Sequence, residues 1–145
     1  MANYNEAYKK LLIVEGGYVN DPDDAGGETY AGISRRFNSN AKFWKVIDEI
    51  KSTNPNYKAK DINAILKKNN TVQGEIKNIY KNNYWNTINL DDIRSQKIAE
   101  SIFDSAVNCG VSATIKLLQR TLMIKETGKF TKDIIDKINR YGHKI

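Results

Sequence analysis

One stretch of the sequence, residues 15–33, constrains the fold most, because it interrupts a pattern that is otherwise helical. Apolar residues recur at helical spacing over residues 4–12, and two glycines at 16–17 then end the pattern, as is typical of a helix C-terminus. Residues 18–20 and 29–33 flank the turn-forming run DPDDAGG. We therefore expect a helix, a sharp turn and a short β-hairpin in this order.

The rest of the chain continues the helical pattern. Apolar faces of helical spacing recur at residues 43–50, 62–66, 72–84, 98–107, 115–122 and 134–138. Asp61, Ser112 and Thr131 are predicted to cap three of these helices, and Gly110 to end one. Cys109 is predicted to be a small core residue. These patterns predict about seven helices with one small β element, which is a mainly α fold of the α+β class.

Composition and charge exclude several classes of protein. The formal net charge of +6 fits attraction to an anionic polymer, binding to nucleic acid, or merely a lysine-rich composition with solvated side chains. The basic residues are scattered, which counts against nucleic acid. No apolar run is long enough to span a membrane, and the sequence has no zinc, nucleotide or serine-triad motif, so neither a metal nor a cofactor is expected.

Glu15 is the first candidate for chemistry. It follows Leu12 by three residues and Leu11 by four, so it continues the apolar face of the first helix. Loss of water and the negative end of the helix dipole both favour the neutral acid, so the pKa of Glu15 is expected to rise. A carboxyl group that stays protonated near neutral pH suits a general acid. The alternative is a solvated side chain at a frayed helix end.

Further carboxylates follow in the predicted turn, at Asp21, Asp23 and Asp24, and a hydroxyl follows at Thr29. An acid, a second carboxylate and a water-orienting hydroxyl are what glycoside hydrolysis uses. We favour Asp24 as the assisting carboxylate on spacing, and any of the three aspartates remains open. The alternatives are simple turn chemistry or a Ca²⁺ loop, although no EF-hand pattern is present.

At these residues the sequence resembles a known family. Residues 15–22 read EGGYVNDP and residues 24–33 read DAGGETYAGI, which is similar to the signature of glycoside hydrolase family 108. Residues 80–85 (YKNNYW) and 102–120 (IFDSAVNCG to LLQR) resemble its Y-x3-YW segment and its family 3 peptidoglycan-binding region. The chain departs from the pattern at Tyr30 and Ala31, and in Asn- and Lys-rich insertions between residues 38 and 70.

The resemblance implies a lysozyme-like N-acetylmuramidase of the phage-endolysin type, with Glu15 as the catalytic acid. It would cleave the β-1,4 bond between N-acetylmuramic acid and N-acetylglucosamine. It also implies a single domain over 1–145, with a catalytic lobe at 1–90 and a helical peptidoglycan-binding segment at 91–145. A weaker similarity to the T-even phage lysozymes supports the roles of Asp24 and Thr29.

Expectations about partners and location follow from the same residues. The expected partner is the peptidoglycan glycan strand, without nucleic acid or an integral membrane segment, and the chain is expected to be a monomer. The N-terminus shows no secretory signal, so we expect synthesis in the cytoplasm and action on the cell wall after release or export.

Six residues are candidates for substrate binding: Tyr18, Asn20, Tyr30, Trp85, Asp104 and Asn108. The aromatic rings could stack on sugars, with Tyr30 and Trp85 the ones most worth testing, although aromatics at helical spacing are more often core residues. Asp104 and Asn108 lie four residues apart on an apolar helix, either as hydrogen-bonded core groups or facing the glycan.

Three other functions remain open. A lytic transglycosylase would use the same acid but form an anhydro-muramic product. A non-catalytic cell-wall-binding or secretion-accessory protein would bind without turnover, since some relatives carry the label "secretion activator". A basic nucleic-acid-binding helical protein is the alternative from a different class.

Overall fold

A computed structural model of the chain describes residues 1–14, 16–21, 23 and 27–141, except the side chains of Ile13 and Val14. The described part contains seven α-helices and three short strands, so the predicted fold class, mainly α within α+β, is confirmed. The helices are α1 Tyr4–Val14, α2 Phe43–Thr53, α3 Ala59–Lys68, α4 Asn70–Tyr80, α5 Gln96–Cys109, α6 Val111–Thr121 and α7 Lys132–Tyr141. The strands are β1 Val19–Asn20, β2 Glu28–Tyr30 and β3 Ile33–Ser34.

The sheet is antiparallel with the order β1-β2-β3. Val19 pairs with Thr29, which confirms the predicted hairpin. The expectation of one strand over residues 29–33 is wrong, because the chain reverses at Ala31 and Gly32, whose φ angles are 51° and 78°. Two successive positive φ angles are typical of a type I′ turn, the favoured two-residue connection of a hairpin.

Of four predicted helix ends, two differ from the structure and two lie where they were expected. Asp61 does not cap α3, which begins two residues earlier; its carboxylate instead accepts a hydrogen bond of 2.9 Å from the Lys58 backbone N–H. Ser112 does not cap α6 either, since Gly110 precedes that helix with φ at 93°. Gly110 also ends α5, as predicted, and Thr131 directly precedes α7.

The helix expected over residues 72–84 is also only partly correct. α4 ends at Tyr80, and the chain continues as a π-helical turn over Lys81–Trp85. Two 3₁₀ turns follow, at Asn86–Ile88 and Leu90–Asp92. Since a π turn holds more residues than an α turn, it changes the direction of the side chains that follow it.

The chain forms two compact units. The first comprises Met1–Leu11 and Tyr80–Ile145, and the second comprises Leu12–Ile79. The centre of the first is an aromatic cluster, defined as Tyr4, Tyr8, Tyr80, Trp85 and Phe103. The core of the second is formed by side chains such as Phe43, Trp44, Ile47, Leu66 and Ile76. The division into a catalytic lobe at 1–90 and a binding segment at 91–145 stays a prediction.

Cys109 is exposed, so the expectation that it lies in the core is wrong. The buried face of α5 ends at Ala106, and Cys109 is the last residue of the helix, beyond the packed turns. No described helix combines the length and the apolar character that crossing a membrane requires.

Candidate active site

Two of the three predicted catalytic residues, Glu15 and Asp24, lie outside the described residues. Of the other two aspartates in the turn, Asp21 and Asp23 are both exposed. The Asp21 carboxylate accepts a hydrogen bond of 2.9 Å from the Asp23 backbone N–H, which is an Asx turn. Asp21 therefore has a structural role in the turn, and which aspartate assists catalysis stays a prediction.

Thr29 occupies the middle of the sheet. It is half-buried on β2 and pairs with Val19 on one side and with Ser34 on the other. Because side chains alternate along a strand, Thr29 faces away from the side on which Tyr30 is buried. Its position on the return strand agrees with the sequence prediction, and its catalytic role stays a prediction.

Sequence reasoning missed an acid at the start of β2, Glu28. Its carboxylate accepts a short hydrogen bond from the Tyr18 hydroxyl and one of 2.7 Å from the Arg35 guanidinium. Arg35 also binds the Asp48 carboxylate with two hydrogen bonds, of 2.8 and 2.7 Å. The Lys51 ammonium lies 3.3 Å from both the Glu28 carboxylate and the Tyr18 hydroxyl. These five residues, called the Glu28 network below, connect β2 and the residues directly before β1 and after β3 to α2.

The network decides the charge state of Glu28. Burial raises the pKa of this carboxyl, but the hydrogen bonds from Tyr18 and Arg35 and the charge of Lys51 outweigh burial, so the pKa is lowered overall. Burial and the bond to Glu28 raise the pKa of the Tyr18 hydroxyl, which therefore stays a donor. Glu28 is ionised at neutral pH and cannot serve as a proton donor there.

One signal in the sequence could have pointed to Glu28. It alternates with Thr29 along β2 and so shares the inward side of Tyr30. A carboxylate on the buried side of a strand requires hydrogen-bond donors or positive charges, and Arg35 follows Glu28 by only seven residues. Asp48 and Lys51 lie further along the chain, where spacing gives no such indication.

The segment that directly follows Glu15 in the sequence is anchored by α3. The Asn63 side-chain oxygen accepts a hydrogen bond of 2.5 Å from the Tyr18 backbone N–H. A Cβ atom on Gly17 would lie 2.5 Å from the same Asn63 side chain. Gly17 is therefore required for this close approach, whereas a Cβ on Gly16 would meet open space.

The structure does not present Tyr30 and Trp85 as sugar-stacking surfaces, so both of these expectations need correction. Tyr30 is 4% exposed, its hydroxyl accepts a hydrogen bond of 3.0 Å from Gln73, and its ring meets Phe43 edge to face. Trp85 is fully buried in the aromatic cluster, and its indole N–H donates to Asp91 at 2.7 Å. Burial of such large apolar rings favours packing over ligand contact.

Tyr18 and Asn20 lie together, at a surface groove in the second unit. Tyr18 is buried but contributes to the lining of the groove, and Asn20 is exposed. Lys51, Asn54 and Tyr57 contribute to the same groove. The structure thus brings two predicted substrate-binding residues together with three that the sequence did not single out.

Asp104 and Asn108 are exposed on α5, so the alternative that they are buried core groups is wrong. The Asn108 amide donates to the Asp104 carbonyl oxygen at 2.9 Å and to its carboxylate at 3.2 Å. Both residues fall outside the buried face of the helix, formed by Ala99, Ile102, Phe103 and Ala106. A contact with glycan stays a prediction for this pair.

The sequence of the chain matches one known protein family. Residues 8–110 match the model of the Glycosyl hydrolase 108 family, and this match covers more than half of the chain. The chain belongs to glycosyl hydrolase family 108. Membership makes it a glycoside hydrolase with a lysozyme-like activity on peptidoglycan, as the resemblance of residues 15–33 implies.

Among solved structures, this family 108 chain is similar to SagA of Brucella abortus, with a TM-score of 0.61 and 23% sequence identity. The alignment covers 94% of this chain and 68% of SagA. At this identity the likeness shows a shared fold. No curated protein sequence matches this family 108 chain.

Proposed function

We propose that this family 108 protein is an N-acetylmuramidase, which hydrolyses the β-1,4 bond between N-acetylmuramic acid and N-acetylglucosamine with Glu15 as the general acid. One observation carries the assignment of the acid. Residues 15–33 contain two glutamates, and the Glu28 network holds one of them ionised. Glu15 is the glutamate that remains to give a proton to the leaving oxygen.

The position of Glu15 in the sequence supports this role. It directly follows α1, whose last residue is Val14. The carbonyl groups at a helix C-terminus carry partial negative charge, which favours the neutral form of a nearby carboxyl group. A general acid needs this form at the pH at which it works.

Asp24 and Thr29 complete the proposed mechanism. Asp24 belongs to the connection between β1 and β2, and Thr29 lies on β2. As Glu15 protonates the glycosidic oxygen, the Asp24 carboxylate stabilises the positive charge that develops on the sugar or activates water, and the Thr29 hydroxyl orients that water. The structural bond of Asp21 to Asp23 supports the choice of Asp24 over Asp21.

Substrate contacts and location complete the proposal. Tyr18, Asn20, Asp104 and Asn108 are accessible or line a groove and are proposed to contact the glycan. The protein is proposed to act as a monomer on the cell wall. Release by lysis, as for the phage endolysins that the motif resembles, or export from the cytoplasm would bring it there.

Mass spectrometry of digested peptidoglycan tests the reaction. Hydrolysis predicts fragments that end in reducing N-acetylmuramic acid. Anhydro-muramic ends would instead identify a lytic transglycosylase. Intact sacculi with bound protein would identify a binding module, so either result contradicts the proposal.

The role of Asp24 has its own test. The change Asp24→Asn removes the charge at nearly constant volume and is expected to slow turnover about 10²-fold or more, as for other catalytic carboxylates. Asp23→Asn is the matched control in the same turn and is expected to keep turnover within about twofold of wild type, within which surface changes usually remain. Equal rates for Asp24→Asn and wild type would remove Asp24 from the mechanism.

A further inference from the structure

The groove that contains Tyr18 and Asn20, here called the Tyr57 groove, has a volume of about 450 Å³. This volume lies in the range of roughly 300–1,000 Å³ that small-molecule sites usually have. One wall comes from Tyr18 and Asn20, and the other comes from α2, α3 and the loop between them, with Lys51, Asn54 and Tyr57. All of these residues belong to the second compact unit.

The first wall of the groove is close along the chain to the proposed acid. Tyr18 follows Glu15 by three residues. A fully extended chain advances at most about 3.6 Å per residue, so the Tyr57 groove begins no more than about 11 Å of chain from Glu15. A glycan strand bound for cleavage would reach the groove with a sugar close to the scissile bond.

The exposed groups of the groove suit a sugar. The Tyr57 side chain is 43% exposed, and an exposed tyrosine ring can pack against the apolar face of a pyranose. Asn20 is exposed and Asn54 is half-buried, and both are amides that can pair with hydroxyl or acetamido groups. Such a mixture of one aromatic surface and a few polar groups is typical of a ligand site.

Lys51 gives the groove a positive charge, which favours a ligand with a negatively charged group. It is the one charged residue among the described residues that line the groove. Its side chain is 40% exposed, and its ammonium group makes two long contacts, of 3.3 Å, to the Glu28 carboxylate and the Tyr18 hydroxyl. Because an ammonium group has three donors, Lys51 can also bind an incoming carboxylate.

We propose that the Tyr57 groove binds a carboxylate-bearing sugar of the peptidoglycan strand, with the ring on Tyr57 and the carboxylate on Lys51. The carboxylate is either the lactyl group of N-acetylmuramic acid or a group of its stem peptide. This proposal rests on the proposed function and names a substrate subsite for it. The second wall comes from residues 51–62, inside the stretch where the sequence departs from the family motif, so the motif itself does not specify this subsite.

Binding to three kinds of glycan strand tests the subsite. The strands are peptide-bearing, peptide-free with a free lactyl carboxylate, or peptide-bearing with every carboxylate converted to a neutral amide. Dissociation constants are measured in a Glu15→Gln background, so that the strands stay intact. Lys51→Met is expected to weaken binding of at least one of the two carboxylate-bearing strands about fivefold, as loss of a partly exposed ion pair does, without affecting the neutral strand.

Two further variants control this measurement. Lys45→Met removes an exposed lysine from the same helix, outside the groove, and is expected to bind every strand as the parent does. Tyr57→Ala is expected to weaken binding of all three strands about fivefold, since the ring contact does not depend on charge. In a peptide-bearing strand the lactyl carboxyl forms the amide bond to the stem peptide and carries no charge. Weaker binding of the peptide-bearing strand alone therefore assigns the carboxylate to the stem peptide, and weaker binding of the peptide-free strand alone assigns it to the lactyl group. Weaker binding of both charged strands shows that Lys51 accepts either carboxylate.

Unchanged binding by Lys51→Met, or equal weakening of charged and neutral strands, would overturn the subsite. Unchanged binding by Tyr57→Ala would overturn the ring contact. The proposed function fails separately, in the product analysis of the wild-type protein, because the binding experiment requires no turnover. If the wild-type protein cleaves peptidoglycan but Lys51→Met binds every strand as the parent does, the subsite alone is refuted.

Discussion

The aromatic cluster of the first unit and the Glu28 network of the second are stabilised by different chemistry. In the cluster, Trp85 packs its ring within 5.3 Å of the Tyr4 ring and 5.5 Å of the Phe103 ring, measured between centroids. In the network, Arg35 binds the Glu28 and Asp48 carboxylates at 2.7 Å, and the Lys51 ammonium lies 3.3 Å from Glu28. Burial of apolar rings depends little on pH, whereas a network of ion pairs requires ionised carboxylates.

The difference follows from the size of the elements. The sheet has strands of two or three residues, which offer few side chains for packing, so the polar bonds of the Glu28 network add to the burial of Tyr30 and Ile33. The cluster joins α1, α5 and the π turn, which present several large rings to one another. The comparison teaches that ion pairs add to the buried side chains in holding residues 18–35, whereas the aromatic cluster depends on packed rings.

The largest expected effect concerns the cluster. Trp85→Ala removes a fully buried ring and its hydrogen bond to Asp91, and is expected to lower the free energy of unfolding by about 3–5 kcal/mol. Urea denaturation at pH 7 measures this loss. Leu117→Ala, at a side chain 53% exposed, is the control, with an expected loss below about 1 kcal/mol. Similar losses for the two variants would show that the cluster is not a main source of stability.

The next effect concerns the network. Glu28→Gln leaves Arg35 and Lys51 without their buried partner and is expected to lower the free energy of unfolding by about 2 kcal/mol at pH 7. Asp48→Asn serves as the comparison, because Asp48 is 49% exposed and its ion pair should contribute less than about 1 kcal/mol. A smaller loss for Glu28→Gln than for Asp48→Asn in urea denaturation would contradict the central place of Glu28.

The pH dependence of the loss in unfolding free energy distinguishes the Glu28 network from the aromatic cluster. The folded pKa of Glu28 is lower than its unfolded value of about 4.3, so its contribution is present above that value and is lost as the pH falls through the folded pKa. The difference between Glu28→Gln and wild type should therefore be full at pH 7 and shrink towards pH 3. The Trp85→Ala difference should stay nearly constant. If the stability losses of Glu28→Gln and Trp85→Ala changed with pH in the same way, the proposed difference between the network and the cluster would be contradicted.

The smallest expected effects come from two glycines, one in each unit. Gly110 has a φ of 93°, so Gly110→Ala is expected to destabilise the first unit by about 1–2 kcal/mol through backbone strain. Gly74 lies exposed within α4 with open space around it, so Gly74→Ala is expected to stabilise the second unit by about 0.5–1 kcal/mol. Thermal unfolding measures both, and shifts of the same sign would contradict this backbone account.

Much of the fold could be predicted from the sequence, because apolar residues at helical spacing report a buried face directly. α5 shows this well, since its buried residues Ile102, Phe103 and Ala106 and its end at Gly110 follow from the pattern. β3 could not be predicted, because Ala31 adopts a positive φ that alanine rarely takes. The π turn that ends at Trp85 could not be predicted, because an apolar pattern does not distinguish α from π turns.

The candidate site was only partly predictable. The motif indicates Glu15, and spacing indicates Asp24 and Thr29. Neither carries information on which aromatic rings are exposed, and Tyr30 and Trp85 are in fact buried. The partners of Glu28 lie up to 23 residues away along the chain. Contacts at that separation depend on the packing of α2 against the sheet region, which local spacing does not report.

The most direct test of the central claim is the turnover rate of Glu15→Gln on peptidoglycan, compared with wild type. This change removes the transferable proton at nearly constant volume, and we expect a fall of about 10³-fold with an unchanged unfolding midpoint. Turnover by folded Glu15→Gln at the wild-type rate would show that another group donates the proton.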